Sequence, residues 1–568
     1  MDEVEIGACR RPRPEVANSF FPDADAWFVS TCSVSRPKTH SKGVTVISHL
    51  KPEGLNKSAL LHCSKLLASL YAPNLSSIHN MFARSEYMFL SEIDLSVVHP
   101  GYYVNGKWKG RSSSMVTSVN PVDNETIAAV TEGSIEDYEE GIQACSKAAK
   151  LWMKTPVSKR CEIVRQIGDA LRAKLQLFGR LVSLEVGKIL VAGIGEVQEV
   201  IDMCDYAAGL SEKLNLNASI RHERQNHVTL QLRNPFGVVG VITPFNFPCA
   251  VLGRNACMAL VTGNCVVWKG SRTTPLVTIA ITKLVAGVLK NNNLPGAIFT
   301  SFCGGAPIGQ AMAEDKRIPL VSFTGTSKVG LMVQQRVNDR FGKCLLELSG
   351  NNAITVMGDA DIPLVVQAVL LDAVGIAGQC RITCHRLFIQ ETIYELVIER
   401  LLLEYTLVTI GMGDPLKTGT LLGPLHTKAL KRNFRTVMQK IKSQGGKVFI
   451  GDVVSTVGNF VRPTIVEISP NADVVKEELF VPVLYVIKFT TFEEAMQINN
   501  SISPGSSNSI FTRKPHLVVP GIRSLGIDCG IVNVNLPTRG RGGAGSDSWE
   551  QYTRRTICTI NYGDESSF

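Results

Sequence analysis

Apolar positions along the chain follow two kinds of pattern. From Ser134, apolar residues recur with helical spacing: "SIEDYEEGIQACSKAAKLW" starts at Ser134, with Asp137 three residues on as in a capping box, and a long helical stretch, "EIVRQIGDALRAKLQLFGRLVSLEVGKIL", follows. Beyond it, short apolar runs end in Gly, Pro or Thr: "VVGVITPF", "NCVVWKG", "AIFTSFCGG" and "LVSFTG". Helical patterns separate these runs. Buried strands that alternate with helices predict an α/β fold with a parallel, doubly wound sheet.

Local signals add detail to this α/β pattern. In "TPLVTIAITKLVAGVLKNNNLPG", Thr274 and Pro275 suit an N-cap and a first helical position, and Gly296 lies past the helix end. A second α/β pattern runs from about Glu347 to Asn535 and contains the strand-to-helix transition "RLFIQETIYELVIERLLLEY". The final "RRTICTINY" alternates like a strand, which favours pairing with the sheet edge of another subunit.

The first 84 residues differ from the rest of the chain. They are rich in Ser and Pro, and only "SALLHCSKLLASLY" (58–71) shows periodicity. We interpret this segment as a loose tail or a misjoined start of the gene model, with a targeting or docking arm as the alternative.

Composition narrows the class of protein. The chain has 568 residues, of which 45% are hydrophobic and 19% charged, so we expect a globular protein with two or more domains. A net charge of +9 is mild for this length, and no apolar run is long enough to span a membrane, so neither nucleic acid nor a membrane is an expected partner. Fifteen cysteines without framework spacing favour reduced thiols in a cytoplasmic protein.

Three short motifs carry candidate chemistry, and each has a structural alternative. Gly325 and Gly330 in "FTGTSKVG" stand between a strand and a helix, where backbone N–H groups attract phosphate, although such glycines also form ordinary turns. Asn246 in "ITPFNFP" ends a strand, where its amide can stabilise an oxyanion or simply form a turn. Glu347 in "LLELSGNNA" has apolar neighbours; burial would raise its pKa towards that of a general base, or it forms a buried ion pair.

The order of several motifs resembles the aldehyde dehydrogenase superfamily. The motifs are "ITPFNFP", "VVWKGSRTTPL", "SFTGTSKVG", "LLELSGNNA", "EELFVP" and "DCGIVNVNLPT". "LLELSGNNAI", "LLGPLHTK" and "RRTICTINY" are similar to the antiquitin (α-aminoadipic semialdehyde dehydrogenase) branch, especially to plant members, over roughly Ser85 to Tyr562.

The resemblance implies a Rossmann-type nucleotide domain, an α/β catalytic domain and a β oligomerisation arm. We expect the NAD-binding domain at 85–223 and 238–346, the catalytic domain at 347–535 and the arm at 224–237 and 546–562, with 1–84 unmatched. The resemblance also implies a homotetramer built from dimers.

The implied reaction is the NAD(P)-dependent oxidation of an aldehyde, such as α-aminoadipic semialdehyde, to an acid. A cysteine, here Cys380, attacks the aldehyde, Asn246 stabilises the oxyanion, and Glu347 activates the water that hydrolyses the thioester. The implied cofactor is NAD, with NADP as the alternative because Arg272 follows Lys269 closely. Residues of four motifs would bind it: Thr243, Pro244, Phe245, Lys269, Gly325, Thr326, Glu478 and Phe480.

The sequence departs from the family at the nucleophile. The family signature is G-Q-R-C, whereas Gly378 and Gln379 are followed here by Cys380 and then Arg381. Arg381 therefore occupies the nucleophile's position, and a shift of one residue redirects a side chain. Cys384 is interpreted as structural, and no metal site is expected because Cys380, Cys384 and His385 have no evident fourth ligand.

Three further departures concern the substrate site. Arg254 stands where the branch has a tryptophan, Ala192 stands where it has an acidic residue, and only "RGRGGAG" (539–545) replaces a long Gly-rich loop. Two hypotheses follow: an active aldehyde dehydrogenase, or a catalytically impaired homologue retained as a cofactor-binding or assembly subunit.

Overall fold

The computed structural model describes residue 82 and residues 84–563, with gaps at 111–113, 216–217, 222–225, 503–504, 523–525 and 539–547. The interpretations of the segment before residue 84 and of the Gly-rich stretch after Thr538 lie outside the described residues.

Sixteen α-helices are formed by the described residues. They are α1 (Phe89–Glu92), α2 (Ile135–Trp152), α3 (Val157–Ala173), α4 (Leu175–Val186), α5 (Leu190–Gly209), α6 (Ser211–Asn215), α7 (Ala250–Val261), α8 (Pro275–Asn291), α9 (Ala306–Glu314), α10 (Ser327–Asn338), α11 (Ile362–Val374), α12 (Tyr394–Ile410), α13 (Lys428–Ser443), α14 (Asp473–Lys476), α15 (Phe492–Asn500) and α16 (Pro515–Gly521).

Twenty strands are formed by the same part of the chain. They are β1 (Val98–His99), β2 (Tyr102–Val104), β3 (Lys107–Lys109), β4 (Met115–Val119), β5 (Thr126–Thr131), β6 (Ala218–Arg221), β7 (His227–Pro235), β8 (Val238–Ile242), β9 (Cys265–Lys269), β10 (Phe299–Phe302), β11 (Leu320–Gly325), β12 (Lys343–Leu348), β13 (Asn352–Val356), β14 (Cys384–Gln390), β15 (Lys447–Ile450), β16 (Thr464–Glu467), β17 (Val483–Phe489), β18 (Ser507–Phe511), β19 (Ile531–Val534) and β20 (Thr553–Asn561).

The first large sheet confirms the parallel arrangement predicted from the short apolar runs. Its strand order is β12-β11-β8-β9-β10-β2-β3, and the strands from β12 to β10 are parallel. The antiparallel strands β2 and β3 complete one side. Since parallel strands end at the same edge, the residues that follow β8, β9 and β11 lie side by side.

The second large sheet contains the strands of the later α/β pattern, in the order β15-β16-β17-β14-β13-β18-β19. All its neighbours are parallel except β15, which pairs antiparallel with β16. The strand that carries Glu347, β12, pairs with β11 and so belongs to the first sheet. The chain crosses from one sheet to the other within Ser349–Asn351.

A small third sheet has the order β20-β7-β6. The predicted terminal strand is confirmed: β20 pairs antiparallel with β7 of the same chain along its whole length, from Thr553 opposite Pro235 to Asn561 opposite His227. β20 lies at the sheet edge and exposes Ile557 and Ile560, and Tyr562, which follows it, is exposed too. An additional three-stranded sheet has the order β1-β5-β4.

The cores follow the sheets. One large apolar cluster packs around the first sheet and its helices, and another packs around the second sheet. A third, smaller cluster lies at the functional site and consists of Phe245, Phe247, Ala250, Val251, Cys380, Ile382 and Phe480.

The predicted long helical stretch is helical, and it is divided into three helices, α3, α4 and α5. The divisions fall where Lys174 leaves the helical conformation (φ −122°, ψ 19°) and where Gly187 adopts a positive φ of 94°. The capping box at Ser134 and Asp137 is confirmed. Thr274 and Pro275 stand where expected, but the Thr274 side chain makes no capping hydrogen bond.

Two buried glutamates from other helices satisfy helix N-termini instead. Glu185 accepts hydrogen bonds from the backbone N–H groups of Leu276 and Val277, both at 2.9 Å, at the start of α8. Glu196 accepts from the N–H groups of Cys249 (2.8 Å) and Ala250 (3.0 Å) at the start of α7, and it also pairs with the buried Lys188. A carboxylate at a helix N-terminus satisfies unpaired donors and complements the helix dipole.

The described cysteines are all free. Among the described residues, no cluster of three His, Cys, Asp or Glu side chains is placed to hold a metal ion. Within the same residues, no helix combines the length and the apolar character that a membrane span requires.

Replacing Glu185 tests the cap on α8. We expect Glu185→Ala to lower the free energy of unfolding by about 3 kcal/mol, because two buried N–H groups lose their acceptor. Glu185→Gln, which keeps one acceptor oxygen, should lose about half as much. Melting temperatures measure both effects, and the exposed Glu162→Ala is the control. Equal melting of the Glu185→Ala and Glu162→Ala variants would contradict this role.

Candidate active site

The candidate site lies where the first sheet meets the loop that leads into β14. Asn246 follows β8, Glu347 lies in β12, and Cys380 and Arg381 lie in the loop before β14. The structure thus brings the motifs around Asn246, Glu347 and Cys380 to one region. The side chains, however, are not arranged as the resemblance implied.

Hydrogen bonds from several elements fix the backbone of the loop. The Asn352 side-chain amide donates to the carbonyl oxygens of Arg381 (2.7 Å) and Thr383 (3.1 Å). The Thr538 hydroxyl donates to the Ile382 carbonyl at 2.6 Å, and the Cys380 N–H donates to the Thr383 hydroxyl at 3.1 Å. Because the backbone is held at these points, the direction of each side chain in the loop is fixed too.

Gly378 allows the loop to pass close to the chain before β17. Its φ is +71°, and an added Cβ would lie 2.5 Å from the Val481 carbonyl group. A side chain at this position would therefore displace the residues that follow.

Arg381 faces Glu347. Its guanidinium forms an ion pair with the Glu347 carboxylate, and its side chain is only 10% exposed. The Glu347 side chain is 44% exposed, so the apolar neighbours in β12 do not bury it as the sequence suggested. The reason is that its side chain faces a cavity rather than the sheet core. The carboxylate expected to activate water is bound by a guanidinium instead.

Cys380 points elsewhere. It is 1% exposed and packs in the small apolar cluster with Phe245, Phe247 and Phe480. It does not line the cavity that Arg381 and Glu347 line. The structure therefore does not bring the predicted nucleophile and the predicted base together, because successive residues of the loop direct their side chains differently.

Asn246 is buried directly beside the loop. Its side-chain amide donates to the Gln379 carbonyl oxygen, which lies one residue before Cys380, and its own Oδ1 is buried without a partner. Cys384 is also fully buried, and its thiol donates to the Arg386 carbonyl oxygen at 3.3 Å, as a structural cysteine does.

A cavity of about 160 Å³ adjoins Glu347 and Arg381. Its walls come from α5, α7, β11, β12 and the residues before β20, and they include Met203, Val251, Arg254, Asn255, Met258, Thr324 and Tyr552. Arg254 lines it but pairs with Glu199, with Nε 2.8 Å from Oε1. Ala192, singled out from the sequence, lines a different, smaller cavity.

Sequence reasoning missed Met203, Glu199 and Tyr552. Met203 and Glu199 are four residues apart, so they lie on one face of α5. That face packs on α7, which the sequence alone does not reveal. Tyr552 is joined to the site through its hydroxyl, which donates to the Asn255 side chain at 2.6 Å.

The residues predicted to bind the cofactor lie at the carboxyl edge of the first sheet. Thr243 N–H donates to the Lys269 carbonyl at 3.1 Å, and the Thr243 hydroxyl accepts from the Trp268 indole at 3.0 Å. Lys269 is buried, and burial lowers the pKa of its ammonium group to about 8. Pro244 is buried in the same turn, and Phe245 stacks on His426 with ring centroids 4.4 Å apart.

Gly325 and Thr326 lie at the start of α10. Thr326 is the N-cap residue, and its hydroxyl accepts from the Val329 N–H at 2.9 Å. An added Cβ on Gly325 would lie 2.0 Å from the Phe323 ring, so any other residue here would require the ring to move. A helix N-terminus approached by glycine suits the pyrophosphate of a dinucleotide, and these residues fit NAD or NADP.

Arg272 is not a free cation. It pairs with Glu132 through two hydrogen bonds, Nε to Oε1 at 2.7 Å and Nη2 to Oε2 at 3.0 Å. This pairing lowers the pKa of the Glu132 carboxyl. A guanidinium that already binds a carboxylate in this bidentate way is less available to a 2′-phosphate.

Glu478 and Phe480 approach from the second sheet. Glu478 accepts a hydrogen bond from the Ser349 hydroxyl, and burial raises the pKa of its carboxyl to about 8. Phe480 is buried in the small apolar cluster with Cys380.

Comparisons with known proteins identify the family of this chain. The aldehyde dehydrogenase family matches residues 108–544. The chain is 61% identical over 499 residues to aldehyde dehydrogenase family 7 member B4 of Arabidopsis thaliana, covering 85% of this chain and 97% of that protein. It is 49% identical to α-aminoadipic semialdehyde dehydrogenase of Mus musculus, over 84% of this chain and 91% of that protein.

Solved structures show the same fold. Lactaldehyde dehydrogenase from Escherichia coli is 27% identical with a TM-score of 0.77, covering 82% of this chain and 100% of that chain. Betaine aldehyde dehydrogenase from Staphylococcus aureus, solved with NAD⁺, is 25% identical with a TM-score of 0.77, over 84% of this chain and 97% of that chain.

The pH dependence of stability tests the buried Glu478 carboxyl. Its pKa is about 8 in the folded chain against a usual value of 4.5, so the fold binds this proton more tightly than the unfolded chain does. The stability it contributes is therefore present below about pH 4.5 and is lost as the pH rises to about 8. We expect the melting temperature of wild type, relative to Glu478→Gln, to fall across this range, by the equivalent of about 5 kcal/mol at most.

The neighbouring Glu477→Gln is the matched control, because Glu477 is exposed and pairs with Lys440 at 2.8 Å. A melting difference between wild type and Glu478→Gln that stays constant from pH 5 to 8.5 would show that this carboxyl does not titrate as described.

Proposed function

Because this chain belongs to the aldehyde dehydrogenase family, and within it to family 7, we propose that it oxidises an aldehyde to a carboxylic acid with NAD or NADP. The observation that carries the proposal is the match over 85% of this chain and 97% of the Arabidopsis relative, together with the arrangement around Lys269 and Gly325. NAD or NADP, held by the residues around Lys269 and Gly325, would supply a hydride acceptor for the oxidation. The chain's own residues supply the nucleophile, the oxyanion donor and the water-activating base.

The proposed roles are those of a covalent mechanism. A thiolate attacks the aldehyde carbon, and the Asn246 amide stabilises the resulting oxyanion. After oxidation, the substrate is held as a thioester on sulfur. Glu347 then removes a proton from a water molecule, whose oxygen attacks the thioester and releases the acid and the thiol. Cys380 is the candidate nucleophile, and both Asn246 and Glu347 lie within the same region.

A second candidate, a catalytically impaired homologue that binds cofactor or assembles with intact subunits, is favoured by one observation. Arg381 occupies the position beside Glu347 and forms an ion pair with it, while Cys380 is buried away from that cavity. A misplacement of about 1 Å already costs about a hundredfold in rate. This arrangement supports low turnover in the chain as it stands.

The proposed substrate is α-aminoadipic semialdehyde or another small aldehyde. The named activity of the mouse relative supports the first. The cavity beside Glu347, with about 160 Å³, supports a small substrate. The guanidinium groups of Arg254 and Arg381 also line it, but they already pair with Glu199 and Glu347.

The assembly and location are also proposals. We propose a homotetramer in which β20 takes part, supported by the exposed Ile557, Ile560 and Tyr562 at a sheet edge. We propose a cytoplasmic location, which the free cysteines of the described residues support because thiols stay reduced there.

Moving the cysteine between positions 380 and 381 tests which position places a thiol for catalysis. We expect Arg381→Cys to increase NAD(P)H production from α-aminoadipic semialdehyde by about a hundredfold or more, because the thiol then faces Glu347. The double variant Cys380→Arg/Arg381→Cys restores the family order as a second test.

Cys380→Ala is the control for that experiment. If Cys380 is the working nucleophile, this variant loses all turnover, and Arg381→Cys changes little. If wild-type turnover is near that of intact relatives and Cys380→Ala abolishes it, the hypothesis of a catalytically impaired homologue is wrong. The chain is then an active aldehyde dehydrogenase that uses Cys380.

Removing the Glu132 carboxylate that pairs with Arg272 tests the preference for NAD or NADP. We expect Glu132→Gln to raise affinity for NADPH relative to NADH by about tenfold, because the guanidinium becomes available to the 2′-phosphate. Equilibrium titration by cofactor fluorescence measures this without turnover. The variant Glu132→Gln/Arg272→Ala should return the ratio to the wild-type value, and an unchanged ratio in Glu132→Gln would rule out this control of selectivity.

A further inference from the structure

We propose that Cys204 and Cys257 are a redox modification site: a peroxide entering the cavity beside Glu347 converts them into a reversible disulfide. The two sulfur atoms lie 3.5 Å apart, and both residues are buried. A disulfide bond is about 2.05 Å long, so the sulfurs must approach by about 1.5 Å. The proposal concerns the helices behind the catalytic groups and does not require dehydrogenase turnover.

The packing of α5 on α7 places the two thiols opposite each other. Val200 and Cys204 are four residues apart on α5, and Gly253 and Cys257 are four apart on α7, so each pair shares a helix face. An added Cβ on Gly253 would lie 2.8 Å from Val200 Cγ1, which shows how closely the helices approach. One turn further along, the same approach brings the sulfurs into contact.

A third helix supports Cys204 from behind. An added Cβ on Gly168, in α3, would lie 2.8 Å from Cys204 Cβ. Cys204 therefore has little room to move away from α7, and the contact between the sulfurs is maintained by packing on both sides.

The cavity brings small oxidants close to the pair, although neither cysteine lines it. Met203 and Met258, the sequence neighbours of the two cysteines, both line it. Hydrogen peroxide is small and neutral, so it can enter a cavity that also admits water. Local motion of one residue on either helix then exposes a thiol to it.

The reaction balances as a two-electron oxidation. One cysteine sulfur attacks a peroxide oxygen and becomes a sulfenic acid, with release of one water. The other sulfur then attacks the sulfenic sulfur and expels the second water. In sum, two thiols and one H₂O₂ give one disulfide and two H₂O. The neighbouring thiol and burial raise the pKa of Cys204, so we expect faster linkage at higher pH.

The link would act on the cavity itself. α5 contributes Met203 to its wall, and α7 contributes Val251, Arg254 and Met258. Joining the two helices covalently fixes their separation at this point. A reductant such as dithiothreitol reverses the bond.

The test is peptide mapping of the intact protein after treatment with hydrogen peroxide and alkylation without reductant. We expect a linked peptide pair containing Cys204 and Cys257, absent after dithiothreitol, and a melting temperature that rises on oxidation and returns on reduction. Fragmentation of the linked peptides separates this bond from one between Cys265 and its neighbour Cys145. Cys257→Ser should abolish the link, and Cys265→Ser, as the matched control, should keep it.

Oxidation of Met203 and Met258 reports whether peroxide has entered the cavity, so the absence of a disulfide can be interpreted. If Met203 and Met258 become sulfoxides while both thiols remain alkylatable after unfolding, peroxide has reached the site and the proposal is overturned. A protein that shows neither sulfoxide nor link in a large excess of peroxide overturns it as well, because the cavity then gives no access. A link that persists in Cys257→Ser would assign it to other cysteines and overturn the proposal.

Discussion

The backbone between Gln379 and Thr383 is held by hydrogen bonds from distant parts of the chain, and this constraint decides which chemistry the site presents. Asn246 binds the carbonyl of Gln379, Asn352 binds those of Arg381 and Thr383, and Thr538 binds that of Ile382. With the backbone fixed, the order of two side chains determines which of them faces Glu347. A guanidinium faces it here, and the sulfur is placed among aromatic rings.

Hydrogen bonds from distant parts of the chain also hold the helices beside the site. Buried carboxylates from the preceding helical region, Glu185 and Glu196, satisfy the N-termini of α8 and α7. These contacts fix α7 and α8 against the first sheet, so the strand ends that carry Thr243 and Lys269 keep their places. The proposed cofactor site therefore depends on two glutamates that are not among the residues predicted to bind the cofactor.

Much of this was predictable from sequence, and the exceptions have physical causes. Short apolar runs predicted β8, β9, β10 and β11 because strands of a parallel sheet are buried on both faces, and the order of motifs identified the family. The exchange of Cys380 and Arg381 was visible in the sequence, but the pairing of Arg381 with Glu347 was not, since it depends on the path of the loop. The partners of Arg272 and Arg254 were also hidden: Glu132 lies far from Arg272 in sequence, and Glu199 reaches Arg254 only through the packing of two helices.

Glu347 belongs to the last strand of the first sheet, whereas Arg381 precedes the central strand of the second. Their ion pair therefore joins the edge strand of the first sheet to the loop before the central strand of the second. Separating the two sheets at this point would require the ion pair to break. In this chain, one arginine in the loop therefore connects the two sheets and also decides which group faces Glu347.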